Sequence, residues 1–163
     1  MTIAEQCNNP LNLRDSKSTW VGKVGAYRGF VKFDTKEHGL RAAMLNLLTY
    51  MADWKLRSIK RIVSRWAPPE ENDTDNYIRV VTKAVFDENE TKVPWYVSQY
   101  YDILTEEEFI ALVAAMAMVE SRFRDGEMII RVYDNLKREP LSKVKEAVLA
   151  KLEENSLNQS NKE

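Results

Sequence analysis

The chain has 163 residues, with 24 basic against 25 acidic side chains and a formal net charge of −1. That length can bury a core, and the even charge balance excludes a general electrostatic grip on nucleic acid, which needs a basic excess or stripe. Cys7 is the single cysteine and His38 the single histidine, which excludes an internal disulfide and leaves no zinc-type ligand set. No cofactor and no metal is therefore expected.

No apolar stretch follows Met1, so synthesis in a cytoplasm without a signal peptide is expected. Residues 1–35 are loop-rich, with Asn8-Asn9-Pro10, Ser16 to Thr19, and glycines at 22, 25 and 29. Within them "WVGKVGAYRGFVKF" alternates loosely and carries four aromatics, which predicts one small β-hairpin. From Thr35 the period turns helical: Leu40, Ala43, Met44, Leu47, Leu48 and Met51 predict a helix over 36–52.

Leu56, Ile59, Ile62, Val63 and Trp66 mark a second helix, opened near Ser58 and stopped at Ala67 by Pro68-Pro69. Its Lys55, Arg57, Lys60, Arg61 and Arg65 form either a local basic patch or a solvated face. "PPEENDT" is a loop, and Asp73 or Thr74 caps a third helix with Tyr77, Ile78, Val81, Ala84 and Val85 on one face. A polar linker, "DENETKVPWY" (87–96), follows.

Thr105 then starts the most apolar helix, with Glu106 and Glu107 at the positive end of its dipole and Glu108 completing a capping box. A helix around Glu127 to Lys137, Pro140 and an amphipathic stretch from Leu141 to Leu152 complete the domain. Residues 155–163 are polar and read as a flexible, dispensable tail.

The helix from Thr105 carries eleven apolar residues in a row, Phe109 to Val119, and ends on Glu120. The run is too short to span a bilayer and reads as the central core helix, the most protected segment of the chain. Partial burial and the negative end of the helix dipole both favour a protonated Glu120, and a protonated carboxyl is what glycoside hydrolysis needs as general acid. The alternative is a glutamate leaving the core to pair with Arg122, Arg124 or Arg131.

Asp34 and Asp73 are candidates for a second carboxylate that positions water on the opposite sugar face, at about 6.5–9.5 Å in inverting enzymes. Substrate assistance by an acetamido group would need neither, and both acids also suit capping or loop solvation. Asn8, Asn9, Asn12 and Arg14 form a polar cluster suited to sugar hydroxyls, acetamido groups or a peptide carboxylate, or equally to turn chemistry. Trp20, Trp66 and Trp95 suit either sugar stacking or packing, and Trp66 falls in register with the core of its helix. His38 belongs to the first turn of its helix, outside a catalytic dyad.

Several strings carry a family resemblance. "NNPLNLR" (8–14), Trp20, "GFVKF" (29–33), "HGLRAAMLNLLTY" (38–50) and "SRWAPPEENDTDNYIRVV" (64–81) resemble a family of small phage and prophage virion proteins, over about residues 8–85. The same pieces are similar to parts of lysozyme-superfamily glucosaminidases. Those enzymes have a helix ending in Glu-Ser, as "AMAMVES" does here, and an Asn-Asn-Leu-Phe-x-Ile-Lys segment similar to "NNPLNLR". They also have an aromatic hairpin similar to "FVKF", and a Tyr-Ala-Thr-Asp-x-x-Tyr segment distantly similar to "WAPPEENDTDNY". In them the glutamate helix precedes the Asn-Asn segment, whereas here it follows everything else. The resemblance therefore implies a circularly permuted lysozyme-like fold, which is feasible when chain ends lie close together. It implies Glu120 as general acid and Tyr77 near the cleft.

The expected architecture is thus mainly α: a lysozyme-like helical domain over 1–154 around a central buried helix, with one small β-hairpin and a tail at 155–163. The expected function is a phage- or prophage-encoded peptidoglycan glycosidase using Glu120. The alternative is a non-catalytic virion or accessory protein that keeps the fold as an interaction module. Expected partners are peptidoglycan glycan strands and other virion proteins, without general nucleic-acid binding or a membrane span. The expected location is the virion, or the cell wall at lysis or entry.

Overall fold

Thr2 and Glu5 start the first helix. The Thr2 hydroxyl accepts from the Glu5 N–H while Glu5 Oε2 accepts from the Thr2 N–H, a reciprocal capping box that opens α1 (Ile3–Gln6). A loop-rich reading of 1–35 passes over that Thr-x-x-Glu spacing. The computed structural model describes residues 1–53, 58–86 and 104–161. Lys55, Leu56, Arg57, the linker at 87–96 and Trp95 lie outside the described residues.

After α1 come β1 (Lys23–Tyr27), β2 (Phe30–Phe33), α2 (Lys36–Ala52), α3 (Ile59–Trp66), α4 (Thr74–Phe86), α5 (Glu106–Ser121), α6 (Gly126–Leu136) and α7 (Lys143–Asn161). The protein is mainly helical with one small antiparallel hairpin, as its periodicity predicts. No helix among the described residues is long and apolar enough to cross a membrane.

The strands pair with Tyr27 opposite Phe30, and Arg28 and Gly29 between them both sit at positive φ, 50° and 87°. That is the two-residue turn whose twist matches the strands. Val31 and Phe33 of β2 are buried and Lys32 between them is exposed, the alternation of a half-buried strand.

The chain divides into two units. The first holds Met1–Asn46 and Met116–Glu139. Its core gathers Leu11, Val31, Phe33, Leu40, Met44 and Tyr133. Arg41 on α2 holds Glu139 with a two-pronged pair, from Nε at 3.0 Å and Nη2 at 2.9 Å.

The second unit holds Leu47–Ala115 and Pro140–Glu163. Ser58 caps α3 by accepting from the Arg61 N–H at 3.1 Å, and the helix stops at Ala67 before the two prolines. Lys60, Arg61 and Arg65 are exposed along α3, while Ile59, Ile62, Val63 and Trp66 are buried. The Thr74 hydroxyl donates to the Ala67 carbonyl at 2.7 Å and so fixes the corner into α4. Thr105 and Glu108 form the expected capping box at 2.8 and 3.1 Å, and burial pushes the Glu108 carboxyl above its ordinary range.

On α5 Phe109, Leu112, Val113, Ala115, Met116 and Ala117 are buried, while Val119 is exposed and Ile110, Ala111, Ala114 and Met118 are half-buried. Alanine is indifferent to partial exposure, so a one-sided helix leaves no polar stripe in its sequence.

The flexible tail expected from 155 is a correction. Helix α7 continues to Asn161. Asn155 Nδ2 donates to the Leu104 carbonyl at 2.7 Å, and Ser156 Oγ accepts from the Glu106 N–H at 2.8 Å while donating to Glu107 Oε2 at 2.9 Å. These side chains satisfy the backbone at the start of α5, which a polar composition does not reveal. A chain ended after Glu154 loses these three hydrogen bonds and should therefore melt about 5 °C lower. An unchanged midpoint in thermal unfolding would make the segment dispensable after all.

Candidate active site

Glu120 is half-buried at the last turn of α5. The helix ends because Arg122 turns left-handed, φ 59°, and returns its N–H to the Met118 carbonyl at 2.9 Å. The Ser121 hydroxyl lies 2.8 Å from the Pro10 carbonyl and 3.1 Å from that of Ala117. Asn12 completes the junction: its Nδ2 is 3.1 Å from both the Glu120 backbone carbonyl and Glu120 Oε1. The carboxyl is thus held by its main chain and its side chain through one amide.

The loop that delivers Asn12 is built by its asparagines. Asn8 and Asn12 both adopt positive φ, 50° and 52°, which asparagine tolerates better than most residues. Asn9 is 1% exposed; its amide donates to the Leu13 and Val31 carbonyls and accepts from the Leu13 N–H, each at 2.9 Å. Asn8 Nδ2 donates to the carbonyls of Phe33 and Asp34 at 3.1 and 3.2 Å. Of the two readings open for Asn8 and Asn9, their contacts fit turn chemistry: Asn9 is sealed inside, and both amide protons of Asn8 are engaged by the backbone. Asn12 orients Glu120.

Asp34 is exposed, and its Oδ1 is 2.7 Å from His38 Nδ1. The hydrogen bond to His38, one helical turn on, holds the Asp34 carboxyl below its ordinary range, with their charge attraction adding to it. Gly22 packs against the pair, where a Cβ would collide with both side chains. The i, i+4 spacing of Asp34 and His38 is a sequence signal for this pairing.

The depressed Asp34 carboxyl stabilises the fold above the ordinary aspartate pKa of its unfolded state, and that contribution is lost as pH falls through the lower folded value. His38→Gln should return the Asp34 carboxyl resonance to an ordinary midpoint in an NMR titration. An unmoved midpoint would assign the depression to another cause.

Arg14 is exposed, with its guanidinium 5.7 Å from the centre of the Phe30 ring. Trp20 is half-buried, and its Nε1 is shielded from solvent without a partner among the described residues. Asp34, Glu120, Asn8, Asn9, Asn12, Arg14 and Trp20 all belong to the first unit.

The two remaining candidates belong to the second unit and have structural roles there. Asp73 Oδ1 accepts from the Asn76 N–H at 3.3 Å at the start of α4, the cap its position suggests. Tyr77 is 4% exposed, so its expected place beside a cleft is corrected to the core of α4's buried face.

No family model matches the chain. It is 37% identical over 119 residues to "Protein P5" of Pseudoalteromonas phage PM2, an alignment that covers 70% of this chain and 68% of that protein. Identity at that level over most of both sequences makes the two homologous, and the chain belongs to the phage protein family of Protein P5.

Proposed function

We propose that this is a phage- or prophage-encoded, virion-associated peptidoglycan glycosidase, with Glu120 as general acid in a single lysozyme-like, circularly permuted domain. One observation carries the proposal. The loop 8–12 moors two carboxyl-bearing residues at once, Glu120 through Asn12 and Asp34 through Asn8. One loop that holds the Glu120 carboxyl and the Asp34 main chain supports two acids from the same stretch of backbone, and a pair of acids is what acid–base cleavage of a sugar bond uses.

In this reading Glu120 donates its proton to the glycosidic oxygen as the bond to the leaving sugar breaks. Asp34, kept anionic by His38, orients water or stabilises the positive charge that develops on the ring. Asn12 holds Glu120 in the donating geometry and is a positioning residue.

The second reading, a virion interaction module without catalysis, is favoured by the inward use of Asn8 and Asn9, which leaves those amides without a direction toward substrate. Purified peptidoglycan separates the two. The glycosidase clears a turbid suspension and releases new reducing ends. If the protein sediments with the polymer and releases none, the interaction module is the function.

A further inference from the structure

Beside the end of α5 lies a pocket of about 290 Å³, beginning at Ser121, one residue past Glu120. Lys36, Arg122 and Arg124 line it together with Glu5 and Asp125, over an apolar floor that includes Phe123. The two acids are both engaged by backbone N–H groups: Glu5 by Thr2 in the cap of α1, Asp125 by Met128 in the cap of α6. The three cations form no ion pair with any described residue, and all three are exposed.

Lys36 is the first residue of α2 and Arg124 stands just before α6, so both cations lie beside helix N-termini, the positive ends of the dipoles. Arg122, among the residues that line the pocket, occupies a left-handed position that glycine fills at lower strain. Three cations against two acids held in helix caps leave the lining of this pocket positive in a chain of net charge −1, which suits an anion.

We propose that this pocket binds a carboxylate of the short peptide carried by the glycan strand, with the two guanidiniums gripping the carboxylate and the apolar floor receiving the peptide's methyl groups. The inference rests on the peptidoglycan reading of the Glu120 site and names the part of the substrate beside the bond to be cut. Arginine's planar fork matches a carboxylate two-to-two, which suits this group better than a neutral sugar.

The test is a binding measurement that requires no turnover. N-acetylmuramoyl-L-alanyl-D-glutamate is titrated into wild type, Glu120→Gln, Arg124→Gln and the double variant Arg122→Asn/Arg124→Gln, by NMR with the amides of Phe123 and Arg124 as reporters. Asparagine tolerates the backbone at 122, and Arg124→Gln alone leaves that backbone untouched. The double variant should bind about tenfold or more weakly, the scale of one charge-assisted pair, and Arg124→Gln should bind more weakly than wild type.

Glu120→Gln should bind as wild type does, and the diamide of the same probe should bind as poorly as the double variant. Equal binding by wild type and both arginine variants, no binding by wild type, or equal competition by inorganic phosphate each overturns the proposal. Arginine-dependent binding by a protein that cuts no glycan would keep the pocket and remove the catalytic reading. Cleavage without such binding would do the reverse.

Discussion

Asn9→Ala is expected to lower the stability of the protein by about 3 kcal/mol, from the loss of three buried hydrogen bonds and the exposure of none of their partners to water. The asparagine is 1% exposed and joins the Leu13 N–H, the Leu13 carbonyl and the Val31 carbonyl. Alanine fills little of the space and removes a partner from each of those groups, the Leu13 carbonyl keeping the Val31 N–H. Asn9→Asp is the sharper probe, because a carboxylate cannot donate to the two carbonyls and would be held uncharged or expelled. Chemical denaturation should show a lower midpoint with an unchanged slope for Asn9→Ala. A shift below about 1 kcal/mol would mean that the loop rests on its backbone alone.

Asn12→Ala is expected to act on turnover more than on stability. Asn12 touches the Glu120 backbone carbonyl and Oε1 with one amide nitrogen, at a half-buried site where solvent can replace part of the loss. Freed from it, the carboxyl samples other rotamers, and a misplaced acid loses about tenfold to a hundredfold in rate. The substitution should reduce kcat with little change in KM. In Asn12→Ala/Glu120→Gln the loss should equal that of Glu120→Gln alone, since an orienting residue has nothing left to orient. Multiplicative losses in that double variant would show that Asn12 acts on the substrate directly and would remove its positioning role.

Features governed by near neighbours in the chain are legible in the sequence. Ser58, the Thr105–Glu108 box and Pro68-Pro69 set helix ends within a few residues, and the structure places those ends at Ile59, Glu106 and Trp66. Thr2 and Glu5 carried an equally local signal, overlooked because the composition around them is that of a loop. The role of Asn12 is different in kind. Its partner stands 108 residues away, and nothing in "NNPLNLR" distinguishes an amide that turns inward to Glu120 from one that faces a sugar.

The same holds for the last helix. Residues 155–161 look too polar to fold, but Asn155 and Ser156 satisfy the backbone of Leu104 and Glu106, some fifty residues earlier. Tyr77 fails for a simpler reason. A tyrosine at helical spacing from Val81 and Val85 belongs to a buried face before it belongs to any motif.

The central claim is that Glu120 donates the proton that breaks a glycosidic bond, and one paired measurement addresses it most directly. Reducing ends released from purified peptidoglycan are followed for the wild type and for Glu120→Gln, with thermal unfolding of both proteins in the same buffer. Glutamine keeps the shape of the side chain and still offers Asn12 an oxygen acceptor, so the two melting curves should nearly coincide. The release rate should fall by about a hundredfold or more, the usual scale for removing a general acid. A wild type that releases no reducing ends, or a Glu120→Gln protein that matches it, would contradict the account.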